Sequence, residues 1–218
     1  MKTVVLRLKG LQSWGDSSKE VYRETLDYPT FSGVIGLVRS ALGVRSFEEK
    51  AKDLRSLKMA IRFNNYEYDN GSGTKKYVYS RKECDYQTAN GFRNLANKTT
   101  LKESVQTWRR YLSDADFFVA LTGQNNLVEE IAVALKYPKY HLFLGRLAFA
   151  PTTPVLTSVS DHENPLEALK EVKGNTGMVR FVVESTEKDI SSEKVRDMPG
   201  DNMYKYRTVN SIWINMGE

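Results

Sequence analysis

The sequence predicts an α+β fold, and three observations carry the prediction. Apolar residues recur with a period of two near the N-terminus, then at helical spacing, and both periods return between residues 116 and 144. A polar, basic stretch with turn signals interrupts this pattern at about residues 66–112. No window approaches the roughly 18 uninterrupted apolar residues that a membrane-spanning helix needs.

The elements follow in order. Thr3–Lys9 alternates Val4, Leu6 and Leu8 with Val5, Arg7 and Lys9, which reads as a strand with one buried face. Gln12–Tyr28 is polar and carries Gly15, so it reads as a loop. Pro29-Thr30-Phe31-Ser32-Gly33 opens a helix in which Val34, Leu37, Val38, Ala41 and Leu42 share a face. Ser32 is its expected N-cap and Gly43 its stop. Phe47–Leu54 reads as a short charged helix, and Leu57–Phe63 as a strand with Met59, Ile61 and Phe63 on one face. Inside the insertion Thr74–Ser80 is strand-like, and the residues after it look irregular. Trp108 and Leu112, four apart, read as one helix face. Asp116–Leu121 is a strand and Asn126–Lys136 a helix. Tyr140–Leu144 is a strand ending at Gly145.

Without the insertion the order is strand, helix, strand, strand, helix, strand. That is the ferredoxin-like (RRM-like) order, a scaffold of RNA-recognition domains that decides no function by itself. Ala150-Pro151-Thr152-Thr153-Pro154 reads as a boundary. The expected organisation is one domain over 1–150 with an insertion at about 66–112, and a small β-rich C-terminal lobe over 151–218. The lobe holds a helix near Pro165–Val172 and strands at Met178–Glu184 and Ser211–Asn215.

Composition narrows the function. The chain of 218 residues has 32 Lys and Arg against 27 Asp and Glu, a net charge of +5 that leans towards a polyanionic partner. One cysteine, Cys84, permits no internal disulfide, and the N-terminus lacks a signal-peptide core; both point to the cytoplasm. His141, His162 and Cys84 cannot make a usual zinc site. No catalytic constellation assembles from His141, His162, Asp85, Asp114 and Asp116, so neither an enzyme, a metal nor a cofactor is expected. His141 reads as a structural histidine and His162 as solvated.

The sharpest signal is in the insertion. Lys75, Lys76, Arg81, Lys82, Arg93, Lys98, Lys102, Arg109 and Arg110 stand against Glu83, Asp85 and Glu103. Tyr77, Tyr79, Tyr86, Phe92 and Trp108 are interleaved with them. Cations for phosphates and rings for bases are what single-stranded RNA demands. A solvated charged hairpin is the other reading. Gly33-Val34-Ile35-Gly36 offers free N–H groups to a phosphate, although close packing explains these small residues as well.

Five segments taken together resemble a known family: Leu6–Gly15, Asp27–Gly36, Asp85–Thr88, Thr107–Ala115 and Tyr140–Arg146. They are similar to the CasD subunits of type I-E CRISPR Cascade, within the RAMP superfamily. The resemblance implies a ferredoxin-like domain with a long β-hairpin thumb. It implies a non-catalytic subunit that caps the 5′ handle of CRISPR RNA and contacts the large subunit and the terminal backbone subunit, with target DNA read only through guide pairing and no membrane involved. The segments, with Arg81 and Lys82 of the insertion, give the candidate RNA contacts Gln12, Trp14, Tyr28, Ser32, Gly33, Arg81, Lys82, Tyr86, Gln87, Trp108, Arg109 and Arg146. The sequence departs from the family at Leu11, Phe31 and Leu147, where a proline and two basic residues are common. A metal-independent endoribonuclease that processes precursor RNA is the competing function.

Overall fold

The computed structural model describes residues 1–18, 21–45, 50–64, 66–69, 75–78, 80–90, 104–185, 192–198 and 205–217. In chain order the strands and helices are β1 (Lys2–Gln12), β2 (Gly15–Ser18), β3 (Tyr22–Thr25), α1 (Phe31–Leu42), α2 (Ala51–Arg55) and β4 (Lys58–Phe63). Next come β5 (Tyr66–Asp69), β6 (Lys75–Val78), β7 (Arg81–Ala89), β8 (Val105–Gly123) and α3 (Asn125–Lys136). The chain ends with β9 (Leu156–Ser160), α4 (Pro165–Lys170), β10 (Met178–Glu184), β11 (Ser192–Met198) and β12 (Lys205–Asn215).

Among the described residues ten strands join one sheet, whose main path runs β11-β12-β10-β4-β8-β1-β9. Its centre is antiparallel: β1 lies against β8, β4 against β8 and β9 against β1. The period-two pattern explains why both faces are covered. Val4, Leu6, Leu8, Met59, Ile61, Phe117, Val119 and Leu121 face α1 and α3 and form the larger core. Val5, Ala60, Phe118 and Ala120 point the other way, where Ala168 and Leu169 of α4 meet Val179 and Phe181. Burying each such aliphatic side chain contributes about 1.5–3 kcal/mol.

The second face also holds a charge. Arg62 is buried; its guanidinium donates to the carbonyls of Leu169 (2.9 Å), Val172 (2.7 Å) and Asn175 (2.7 Å). Burial lowers its pKa from the ordinary guanidinium range. Arg62 thereby ties the turn after α4 to the back of the sheet.

Several expectations change. Gln12–Tyr28 is not a plain loop but carries β2 and β3. The N-cap of α1 is Thr30, whose Oγ1 accepts from the Gly33 N–H at 3.2 Å; Ser32 lies inside the helix. The expected helix at Phe47–Leu54 is α2, with residues 46–49 outside the described set. Arg81–Ala89 is strand rather than irregular. Thr107–Leu112 is strand rather than helix, because Trp108 and its neighbours are paired on both sides by β7 and β3.

Tyr140–Leu144 is not a strand. Its amides are drawn elsewhere: Tyr140 N–H donates to Ser40 C=O, and Leu144 N–H to Phe149 C=O. The free edge of β1 is taken instead by β9, where Arg7 N–H already meets Val155 C=O at 2.8 Å. Beyond residue 150, β9 to β12 extend the same sheet rather than build one of their own.

Gly33 marks the closest approach of α1 to the rest. A Cβ there would stand 2.7 Å from Trp14 Cε3 and 2.9 Å from Thr30 Oγ1. Gly36, one turn on, has nothing within 4 Å. Gly33→Ala should lose about 1–3 kcal/mol in denaturant unfolding through overpacking, whereas Gly36→Ala should gain about 0.5–1 kcal/mol through helix propensity. Equal responses at the two sites would contradict the packing.

Candidate nucleic-acid interface

The site begins where β1 and β8 lose register. Gly10 pairs with Ala115 and Gln12 with Leu112, so two steps on β1 face three on β8. The extra residue makes a bulge, and Asp114 takes φ +52° within it. Gln12 fills the gap. Its buried amide donates to Leu8 C=O (2.8 Å) and Ala115 C=O (3.1 Å), and its Oε1 accepts from the Trp14 indole N–H (3.0 Å). Trp14 is buried against Gly33, and its backbone N–H donates to Thr25 Oγ1 at 2.8 Å. Trp14 therefore ties the start of α1 and the end of β3 to the bend in β8.

Beyond the bulge, Val105–Ser113 of β8 leaves the core as an arm. β7 pairs with it antiparallel on one side, and β3 pairs with it in parallel on the other. Tyr22, Trp108 and Tyr86 come into one row, and Arg23, Arg109 and Asp85 into the next. Adjacent rows of a strand face opposite ways, so the arm has two chemically distinct faces.

One face is aromatic. Tyr22 stacks on Trp108 with centroids 4.9 Å apart and planes at 15°, and Tyr86 meets Trp108 edge-on at 5.4 Å. Tyr22 and Tyr86 stay 54 % and 55 % exposed. Arg110 lies on this face, paired with Glu24 at 3.1 Å.

The other face is cationic. Arg146 Nη1 donates to Asp85 Oδ2 (2.9 Å), and its Nη2 donates to Arg110 C=O (2.7 Å). Its guanidinium lies over the rings of Phe149 (5.1 Å) and Tyr111 (5.8 Å), and its side chain is 19 % exposed. Burial pulls the pKa of Arg146 down; Asp85 acts against this, and the charges of Arg109 and Arg23 push it further down. The buried Nε of Arg109 has no hydrogen-bond partner among the described residues. Arg146 thus pairs with Asp85 while Arg109 and Arg23, in the same row of the arm, act on Arg146 by charge; three guanidiniums stand near one carboxylate, an excess that attracts an anion.

The sequence-derived candidates separate into groups. Tyr86, Gln87, Trp108, Arg109 and Arg146 belong to the arm or touch it; Arg81 and Lys82 lie at its base, where Lys82 pairs with Asp27 at 2.6 Å. Gln12, Trp14 and Tyr28 are buried; Gln12 and Trp14 hold the bend, and Tyr28 packs edge-on against Phe63 in the core. Ser32 and Gly33 sit at the first turn of α1, and the Gly33 N–H is already used by Thr30. His162 is half-buried rather than solvated, its ring nitrogens within 2.9 Å of Ser160 Oγ and 3.1 Å of Glu171 Oε1. His141 is exposed rather than structural. The sequence reading missed Tyr22 and Arg23, whose segment looked like a loop. The alternation of Tyr22 and Glu24 with Arg23 and Thr25 was the available signal.

A family model described as CRISPR-associated protein (Cas_Cas5) matches residues 3–214. The chain is 31 % identical over 172 residues to CRISPR system Cascade subunit CasD of Escherichia coli (strain K12), covering 76 % of this chain and 75 % of that protein. A solved structure described as a crystal structure of Cas protein aligns with TM-score 0.72 and 29 % identity, over 98 % of this chain and 95 % of its own. A chain of a CRISPR RNA-guided surveillance complex aligns with TM-score 0.72 and 27 % identity, over 98 % and 89 %.

Gly145 places Arg146. Its φ is +90°, and a Cβ there would stand 1.7 Å from Ser13 C=O. Gly145→Ala should cost about 2–5 kcal/mol, the sum of left-handed strain and a backbone clash. It should also weaken the Arg146–Asp85 pair, read as faster amide exchange across β7. A folded variant of wild-type stability would contradict the close approach.

Proposed function

The chain belongs to the Cas5 family of CRISPR-associated proteins, and from that premise we propose that it is a non-catalytic subunit of a type I-E Cascade surveillance complex that binds and caps the 5′ handle of CRISPR RNA. The observation that carries this reading is the excess of positive charge on one face of the arm, where Arg146 pairs with Asp85 and the charges of Arg109 and Arg23 act on Arg146. Guanidinium forks bind phosphate oxygens bidentately, and a half-buried fork gains most because less water competes with the contact. Exposed Tyr22 and Tyr86 flanking Trp108 on the opposite face offer surfaces on which unpaired bases stack. Arg81, Lys82 and Gln87 extend the same arm.

On this reading the core is a ferredoxin-like unit, a view supported by the central strand order β9-β1-β8-β4. The insertion at about 66–112, which supplies β7 and the start of β8 to the arm, serves as the thumb, and sequence readout of target DNA stays with the guide RNA. The large subunit and the terminal backbone subunit are the protein partners, in the cytoplasm. No precursor processing is assigned. Both ring nitrogens of His162 are engaged, and His141 lies on the segment that follows α3 rather than on the arm.

The strand geometry makes a sharp prediction. Arg109 and Arg110 face opposite ways, and Arg110 already has Glu24. Arg109→Ala should weaken handle-RNA binding by about 5- to 150-fold, the equivalent of about 1–3 kcal/mol, and lysine should restore it only in part. Arg110→Ala should stay within about threefold of wild type, as expected for an exposed ion pair. Fluorescence anisotropy with labelled handle RNA measures both. Unchanged affinity in Arg109→Ala would move the RNA off this face. Single-site cleavage of repeat RNA that survives repurification and is lost in His141→Ala or His162→Ala would overturn the non-catalytic reading.

A further inference from the structure

A groove of about 1180 Å³ lies away from the arm, between residues 138–143 on one side and 151–157 on the other. Leu156 and Thr157 of β9 line it. β9 ends the main path of the sheet; it pairs with β1 and, among the described residues, with no further strand. Its outer row of N–H and C=O groups is therefore open to another chain. The opposite wall is apolar where it meets solvent, with Leu147 79 % exposed and Tyr140 41 % exposed.

The charge of the groove is one-sided. Lys136, Lys139 and His141 line it, and no carboxylate does. Arg45 stands beside it, donating through Nε to the Tyr140 hydroxyl at 2.8 Å. Glu129 and Glu130 of α3 are engaged by Lys2 and Lys50. Among the described residues no carboxylate pairs with Lys136, Lys139 or Arg45. An open strand edge and an apolar wall select a polypeptide over a nucleic acid, and the unopposed cations select an acidic one.

We infer that this groove receives an extended, acidic segment of another protein subunit, which adds a strand to β9 and seats apolar side chains against Leu142, Leu147 and Leu156. The inference rests on the proposed role in a multi-subunit complex, but not on the RNA site. The pairing supplies main-chain hydrogen bonds, the wall selects alternate apolar side chains, and Lys136 and Lys139 meet the acidic ones between them.

The test compares amide hydrogen exchange in the free full-length chain and in the complex purified through it. Leu156–Ser160 should exchange at least about tenfold more slowly in the complex, and should remain protected after ribonuclease treatment. Lys136→Glu with Lys139→Glu alters two exposed positions of the groove. It should abolish that protection while leaving handle-RNA affinity within about twofold of wild type. Exchange at β9 as fast in the complex as in the free chain would overturn the inference. So would protection by handle RNA alone, or protection that rises with the concentration of the free chain, which would mean a second copy. RNA affinity is read separately, so a wild-type chain that ignores handle RNA overturns the RNA reading while β9 still decides the groove.

Discussion

The whole arrangement depends on one strand crossing one bulge. β8 is 19 residues long, and its two halves live in different environments. From Ala115 to Gly123 it is the spine of the core, between β1 and β4. From Val105 to Ser113 it carries the arm, between β7 and β3. Because a strand is stiff, the direction of the arm is set where the halves join, at Asp114. Gln12 holds that joint by satisfying two backbone carbonyls beside the missing pair, and an unsatisfied buried group there would cost about 1–3 kcal/mol. Trp14 holds Gln12, and Gly33 leaves room for Trp14.

That chain of contacts gives the motif residues a physical role. Gln12, Trp14 and Gly33 were candidates for RNA contact because they lie in segments that resemble the family. Gln12 and Trp14 are buried and Gly33 packs against Trp14, so the three form the mounting of the arm. Arg109, Arg146, Trp108 and Tyr86 are what the mounting presents. Neighbouring residues such as Arg109 and Arg110 serve different faces because a strand alternates. The aromatic and cationic rows are therefore separated by a sheet rather than mixed on one surface.

Much of the core was legible in the sequence. Val4, Leu6 and Leu8, or Met59 and Ile61, announce their strands because one face of each is buried against helices. Leu127, Ile131 and Leu135 announce α3 in the same way. The arm was less legible. Trp108 and Leu112 are four apart, which mimics a helix face, yet pairing to β3 and β7 makes that stretch a strand. Exposed β7 has no buried face to imprint a period on it. Tyr140–Leu144 is apolar enough for a strand, but its amides were claimed by Ser40 and Phe149, a long-range competition that no local pattern records. The Arg23–Arg109–Arg146 grouping was invisible for the same reason: its members come from β3, β8 and the segment after Gly145.

The most direct test of the account is an experimental structure of the assembled complex with its CRISPR RNA. A handle phosphate should lie within about 3 Å of the guanidiniums of Arg109 and Arg146, with Gln12 and Trp14 still buried and untouched by RNA. RNA that runs instead over the first turn of α1 at Ser32 and Gly33, leaving Arg23, Arg109 and Arg146 facing only solvent, would contradict it.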